Sequence, residues 1–282
     1  MKISVSSYSF GSYANDDSLG VLGIMDEAKK MGFDGIELVE CPATCDAEKV
    51  NEIRKHSEEI GLPIVAFDVG ADFTKNDCNS VYEEIDRVCA LVDTAAALGA
   101  PLMRHDVSYG NFSEGLGFDA VLPTMIKGCR AVAEYASKCG VKTMFENHGY
   151  FLQDSDRVEK LICGVAHPNF GYLIDVGNFM CADEEPTRAV GRLARFASHA
   201  HAKDFHFKRG NVECPGEGWF ATRSGNYLRG AVIGHGDADC AQSLRVLKSS
   251  GYDGYVTIEF EGIEDNLRGI ALGFENLKKY VK

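Results

Sequence analysis

Strand-like and helix-like stretches alternate along this chain from end to end, and that alternation limits the folds open to it. Eight short runs rich in β-branched or aromatic residues stand at 3–8, 35–39, 64–69, 102–105, 141–146, 172–175, 199–203 and 255–260. Helical patterns lie between and after them, at 19–31, 47–60, 80–98, 118–138, 156–163, 184–196, 239–249 and 264–280. Several helices stop at a glycine suited to a left-handed cap, namely Gly32, Gly61, Gly99, Gly140 and Gly251. Strands follow these caps closely, as the short connections of a repeating unit do. Eight strand–helix units in 282 residues predict a single α/β domain over 1–282, folded as a (β/α)8 barrel. The stretch 205–236 breaks the rhythm, with many glycines and the chain's one tryptophan, Trp219. It reads as a long loop over the C-terminal mouth, acting as a lid or substrate loop.

Four strand-like runs end in a metal-ligand side chain. They are Met144-Phe-Glu146-Asn-His148-Gly, Leu173-Ile-Asp175-Val-Gly-Asn178, His199-Ala-His201-Ala-Lys203-Asp204 and Val256-Thr-Ile-Glu259-Phe-Glu261. In a closed barrel those tips converge on one rim. Carboxylates crowded there repel one another and are costly to desolvate, and a divalent cation removes that cost. An open doubly wound sheet would instead gather its site at one switch point. Glu146, Asp175, His201 and Glu259 are therefore the expected ligands. Their mostly hard oxygen set suits Mn²⁺, Mg²⁺ or Co²⁺ better than a structural zinc. The period-two spacing of His199 and His201 places both on one face, so spacing alone does not choose between them. His201 is favoured because it lies nearer the strand's C-terminal end.

Other residues are candidates for contact with a substrate. His148, two residues past Glu146, is placed to reach it, and Asn178 to orient a hydroxyl. Lys203 continues the His199–His201 face and can meet a substrate oxygen or anion. Glu37 ends an early strand, His105 lies in the charged run Arg104-His-Asp106, and His235 is flanked by glycines that expose it. The net charge of −13 argues against a nucleic-acid partner. No run approaches the length of an apolar membrane span, and no secretion signal opens the sequence. Ten cysteines without such a signal point to reduced thiols in a cytoplasmic protein. No phosphate-binding loop, serine elbow or dinucleotide fingerprint is present.

With these residues in place, the chain resembles the xylose-isomerase-like TIM-barrel superfamily, in its sugar-phosphate isomerase/epimerase branch. The likeness runs over nearly the whole chain and is most specific at Glu146-Asn-His-Gly, Asp175-Val-Gly-Asn178, His201-Ala-Lys-Asp204 and the strand holding Glu259. It implies that these four strand-end residues hold one divalent metal, commonly Mn²⁺, with Mg²⁺, Co²⁺ or Zn²⁺ as alternatives. It further implies that Glu146 and Glu259 are the acid–base pair that moves a proton beside a carbonyl. The implied substrate is a small keto-sugar or sugar phosphate, isomerised or epimerised through an enediolate. A dehydratase or lyase acting on a keto-sugar or inosose is the alternative from the same site, and a non-catalytic sugar-binding protein is a third. Family epimerases often carry a histidine where this chain has Asn178. Barrels of this kind commonly pair, so a homo-oligomer is a further expectation.

Overall fold

A computed structural model describes residues 1–15, 17–74, 78–109 and 117–282. Eight parallel strands close a barrel. They are β1 (Lys2–Ser6), β2 (Gly35–Val39), β3 (Ile64–Val69), β4 (Leu102–His105), β5 (Lys142–Glu146), β6 (Phe170–Asp175), β7 (Ala197–Ala202) and, after an insertion, β11 (Tyr255–Ile258). Neighbours run in chain order, and β1 closes the ring by pairing with both β2 and β11. A helix follows each barrel strand: α1 (Gly20–Met31), α2 (Ala47–Ile60), α3 (Cys78–Leu98), α4 (Phe118–Cys139), α5 (Ser155–Val165), α6 (Pro186–Leu193), α7 (Cys240–Ser249) and α8 (Asn266–Tyr280). The (β/α)8 barrel expected from the alternation is thus the fold.

Local chemistry sets the helix ends. The Asp46 carboxylate accepts the amides of Glu48 and Lys49 at the start of α2. Gly32, Gly61 and Gly140 close α1, α2 and α4 in the left-handed region. The first strand is shorter than its apolar run suggests. It ends at Ser6, and residues Ser7–Ala14 wind into 3-10 turns.

Strand alternation divides the barrel into two environments. Residues such as Val5, Leu38, Phe67, Met103, Phe145, Ile174 and Ile258 join the large apolar layer that includes the helices. The intervening positions point into the lumen. Near its floor, Ala66, Met144 and Leu173 form a separate small apolar cluster with Leu102. Above it the lumen turns polar. Ser4 Oγ lies 2.6 Å from Thr257 Oγ1, which in turn lies 2.7 Å from His199 Nε2. A polar lumen of this kind is a place to build a site rather than a packed plug.

The stretch 205–236 corrects the expectation of a long loop. It carries most of a small antiparallel sheet, ordered β8 (Asp204–Lys208), β10 (Tyr227–Ala231) and β9 (Phe220–Ala221). Its period-two pattern is too short to read: β9 is two residues long, and β8 meets β10 only across the intervening stretch. The sheet is pinned to three loops beyond the strand ends. Tyr150 Oη donates to the Ala221 carbonyl at 2.8 Å, Thr222 Oγ1 donates to Asp183 at 2.7 Å, and the Arg223 amide donates to the Cys181 carbonyl. Gly230 bridges Gly262 past β11, so closely that a Cβ there would strike the Glu261 carbonyl. No helix among the described residues is long and apolar enough to cross a membrane.

Candidate metal centre at the barrel mouth

Four ligand-type side chains meet where β5, β6, β7 and β11 end. Glu146 and Asp175 are the last residues of β5 and β6, His201 is the penultimate residue of β7, and Glu259 follows β11 directly. One atom from each lies within 4.8 Å of the others, and all four residues are buried. His201 Nδ1 stands 3.4 Å from Glu259, 3.7 Å from Asp175 and 3.8 Å from Glu146. Glu146 Oε2, Asp175 Oδ2, His201 Nδ1 and Glu259 Oε2 are buried at this meeting point, and the three carboxylate oxygens are offset by ion pairs to Arg104 and Lys203. Three buried carboxylates this close repel one another, and a shared divalent cation would relieve that repulsion. Three carboxylates and one imidazole fit a divalent cation of the Mn²⁺, Mg²⁺ or Zn²⁺ type.

The surrounding residues hold these four in place. His201 Nε2 lies 2.9 Å from Glu37 Oε2, and although burial opposes its charge, Glu37 and Glu259 hold the ring's pKa well above the ordinary histidine value. A cation bound here would take the place of the second proton on Nδ1. His199 Nε2 lies 3.1 Å from the same oxygen, so Glu37 serves both rings from beneath. Asn178 donates its side-chain amide to Glu146 Oε1 at 2.9 Å and its backbone amide to Asp175 Oδ1 at 2.8 Å. Asn147 braces Asp175 from behind, donating to its carbonyl and accepting from its amide. Beside them, the backbone of Gly177 passes within contact of the Lys203 carbonyl, where a Cβ would come to 2.7 Å.

Two buried cations share the carboxylates. Lys203 Nζ is 2.6 Å from Glu259 and 3.4 Å from Asp175, and accompanies Asn178 Oδ1 at 3.3 Å. Burial opposes its charge, yet Asp175, Glu259 and Glu261 hold its pKa well above the ordinary lysine value. Arg104 reaches Glu146 at 3.1 Å, Asp106 at 3.3 Å and Asp68 at 3.4 Å. The two glutamates are pushed apart. Burial raises Glu146 to about 7 against the pull of Arg104. Burial acts on Glu259 as well, but Lys203 and His201 outweigh it and keep that carboxyl well below the usual range. Asp106 Oδ1 accepts from His148 Nδ1 at 3.0 Å, and the half-exposed His148 ring lines the mouth. The mouth is a cavity of about 280 Å³ bordered by Tyr8, Glu40, Arg104, His148, Lys203 and Glu259, among others.

The structure brings Glu146, Asp175, His201, Glu259, Asn178, Lys203 and His148 together. Four other candidates lie elsewhere. Glu37 is fully buried below His201 and does not border the mouth cavity. His105 faces outward from β4, edge-on to Phe73 and tilted against Phe170, with Nδ1–H donated to the Asp106 carbonyl. In Arg104-His105-Asp106 all three residues are polar, so polarity could not say which parity faces inward. His235 is exposed beside the turn toward α7, and Trp219 sits in the inserted sheet with Arg229 over its ring. Asp68, Asp106 and Arg104 are lumen residues that the strand-tip reading left out. A buried charge in the apolar run Ile64–Val69 is the sequence signal for Asp68, and the charged run Arg104-His-Asp106 is the signal for the other two.

Residues 25–280 match the family model described as xylose isomerase-like TIM barrel. The chain belongs to that family. An inosose dehydratase from Clostridium perfringens is 25% identical over 142 residues, which span 49% of this chain and 46% of the relative. The match thus spans about half the length of that curated relative. Among solved structures, D-psicose 3-epimerase with D-tagatose from Clostridium cellulolyticum H10 superposes with a TM-score of 0.78 at 15% identity, covering 100% of both chains. The IOLI protein with a bound zinc atom gives 0.78 at 16% identity, covering 100% of this chain and 98% of the other. At those identities the structural likenesses speak for the fold alone.

Proposed function

We propose that this xylose isomerase-like barrel is a divalent-metal-dependent isomerase or epimerase of a small keto-sugar, with Mn²⁺ as its metal. The observation that carries the reading is the buried cluster of Glu146, Asp175, His201 and Glu259, which brings three carboxylates and an imidazole to one point. When bound there, a divalent cation supplies positive charge to two neighbouring oxygens of the substrate. The chain's own residues supply the rest. Glu146 and Glu259 stand on separate strands around one point and are the proton carriers. Asn178 orients Glu146, Lys203 offsets the charge of Glu259, and His148, steadied by Asp106, faces the substrate from the rim. The buried walls limit water at that point. The curated relative favours a second reading, dehydration of an inosose or keto-sugar by the same carboxylates.

Solvent deuterium decides between them. Incubated in D₂O with Mn²⁺ and a panel of ketohexoses, ketopentoses and inososes, the protein should place deuterium on the carbon beside the carbonyl of one of them. Glu146→Gln and Glu259→Gln should each slow this by about 10²–10⁴-fold. Undiminished exchange in both variants would sink the two-carboxylate assignment. An unsaturated ketone as product supports the dehydratase reading. Elemental analysis should find one metal per chain.

A further inference from the structure

A second cavity of about 390 Å³ adjoins the mouth, and the two share Tyr8, Val39 and Glu40 as a common wall. Its chemistry is the reverse of the mouth's. Val21, Ile24, Leu38, Pro42 and Ala43 line it. The hydroxyl groups of Ser7 and Thr44 are occupied locally, while Asn15 adds a polar side chain at the exposed edge. Ser7 Oγ accepts the Val39 amide at 2.8 Å, and Thr44 Oγ1 accepts from the Cys41 amide while donating to the Cys41 carbonyl. A sugar hydroxyl entering this space would lose water and gain little, whereas an apolar group would lose nothing. Charge narrows the ligand further. Glu40 is the charged residue among the described ones lining this cavity, and it disfavours an anion. At the mouth, the permanent cations among the described lining residues are Arg104 and Lys203, and both are held by carboxylates. Arg223 is likewise tied, to Asp154 and the Tyr150 carbonyl.

We infer that the natural substrate is a sugar bearing an apolar, aryl-sized substituent, which lodges in the side cavity while the sugar ring occupies the metal centre. The inference rests on the proposed keto-sugar reaction for the site, and it adds the substituent. Its test is binding, so it does not depend on turnover. Calorimetric titration of the Mn²⁺-loaded protein should show phenyl β-D-glucoside binding about tenfold more tightly than methyl β-D-glucoside, or about 1.4 kcal/mol. Val21→Trp fills the cavity from α1 and should bring that ratio close to one. Ala14→Phe fills it from the 3-10 turns of Ser7–Ala14 and serves if the first variant fails to fold. Equal affinity for the two glucosides, binding of neither, or a ratio that survives both filled variants overturns the inference. Absence of deuterium exchange into any keto-sugar, with the phenyl preference intact, would instead remove the proposed reaction and leave the subsite standing.

Discussion

His201 has an acid on each side of its ring. Glu37 takes the Nε2 proton from below, and the carboxylates of Glu146, Asp175 and Glu259 face Nδ1 from above. The lower carboxylate fixes the tautomer and makes the upper nitrogen a stronger donor to a cation. Glu37→Gln keeps an acceptor in place and removes the charge. It should weaken Mn²⁺ binding by about 10–100-fold in titrations of chelator-stripped protein, with the fold retained. Unchanged affinity would show that Glu37 is only packing. The strand ends and the four ligand types were legible in the sequence because both follow from short, local patterns. Depth in the lumen was not. Glu37 reads as a strand-tip acid like the others, and nothing local to 35–39 says that it stops one layer below the ligands. The same blindness sent His105 to the wrong side of β4, since parity is visible only where polar and apolar residues alternate.

The inserted element hangs on Asp204. Its carboxylate accepts the backbone amides of Phe205, Gly234, Gly236 and Ala238, binding the root of β8 to the segment that follows β10. Asp204→Ala leaves these donors without an acceptor, at a cost of about 1–3 kcal/mol for each one that stays buried. Amide hydrogen exchange should rise first across 204–238, while the barrel strands β1–β6 keep their protection. Uniform loosening of the whole chain would mean that the insertion is not a separate unit. Asp204 stands at the end of a metal-ligand run in the sequence, but apart from the adjacent Phe205 its partners lie 30, 32 and 34 residues away and share no pattern with it. Short strands paired across such gaps leave only weak alternation, whereas the barrel's strand–helix repeat announces itself eight times.

The whole molecule buries more acidic side chains than permanently cationic ones. Glu37, Asp68, Asp106, Glu146, Asp175 and Glu259 are all buried in or just above the lumen, with Arg104 and Lys203 as permanent cations. Burial answers part of that excess by raising Asp68 well above the ordinary carboxylate range and Glu146 to about 7. It also ties stability to pH, and His105 gives a clean handle because it stands outside the lumen. Burial pushes its pKa down to about 4 from an ordinary 6.5. Between those values the unfolded chain binds a proton that the folded chain refuses. Stability present above about pH 6.5 is therefore lost as pH falls toward 4, by an amount on the order of 3 kcal/mol. His105→Phe keeps an aromatic ring between Phe73 and Phe170 and removes that proton. Its urea-unfolding free energy should fall less steeply than the wild type's from pH 7 to 4.5. Parallel curves would assign the acid sensitivity to the carboxylates instead.

Trp219 lies in the pinned sheet rather than against the ligand cavity, and the chain has no other tryptophan. The intrinsic tryptophan fluorescence of this protein is therefore a lamp fixed to the insertion. A change in its colour would record the sheet lifting from the loops beneath it, separately from events at the barrel mouth.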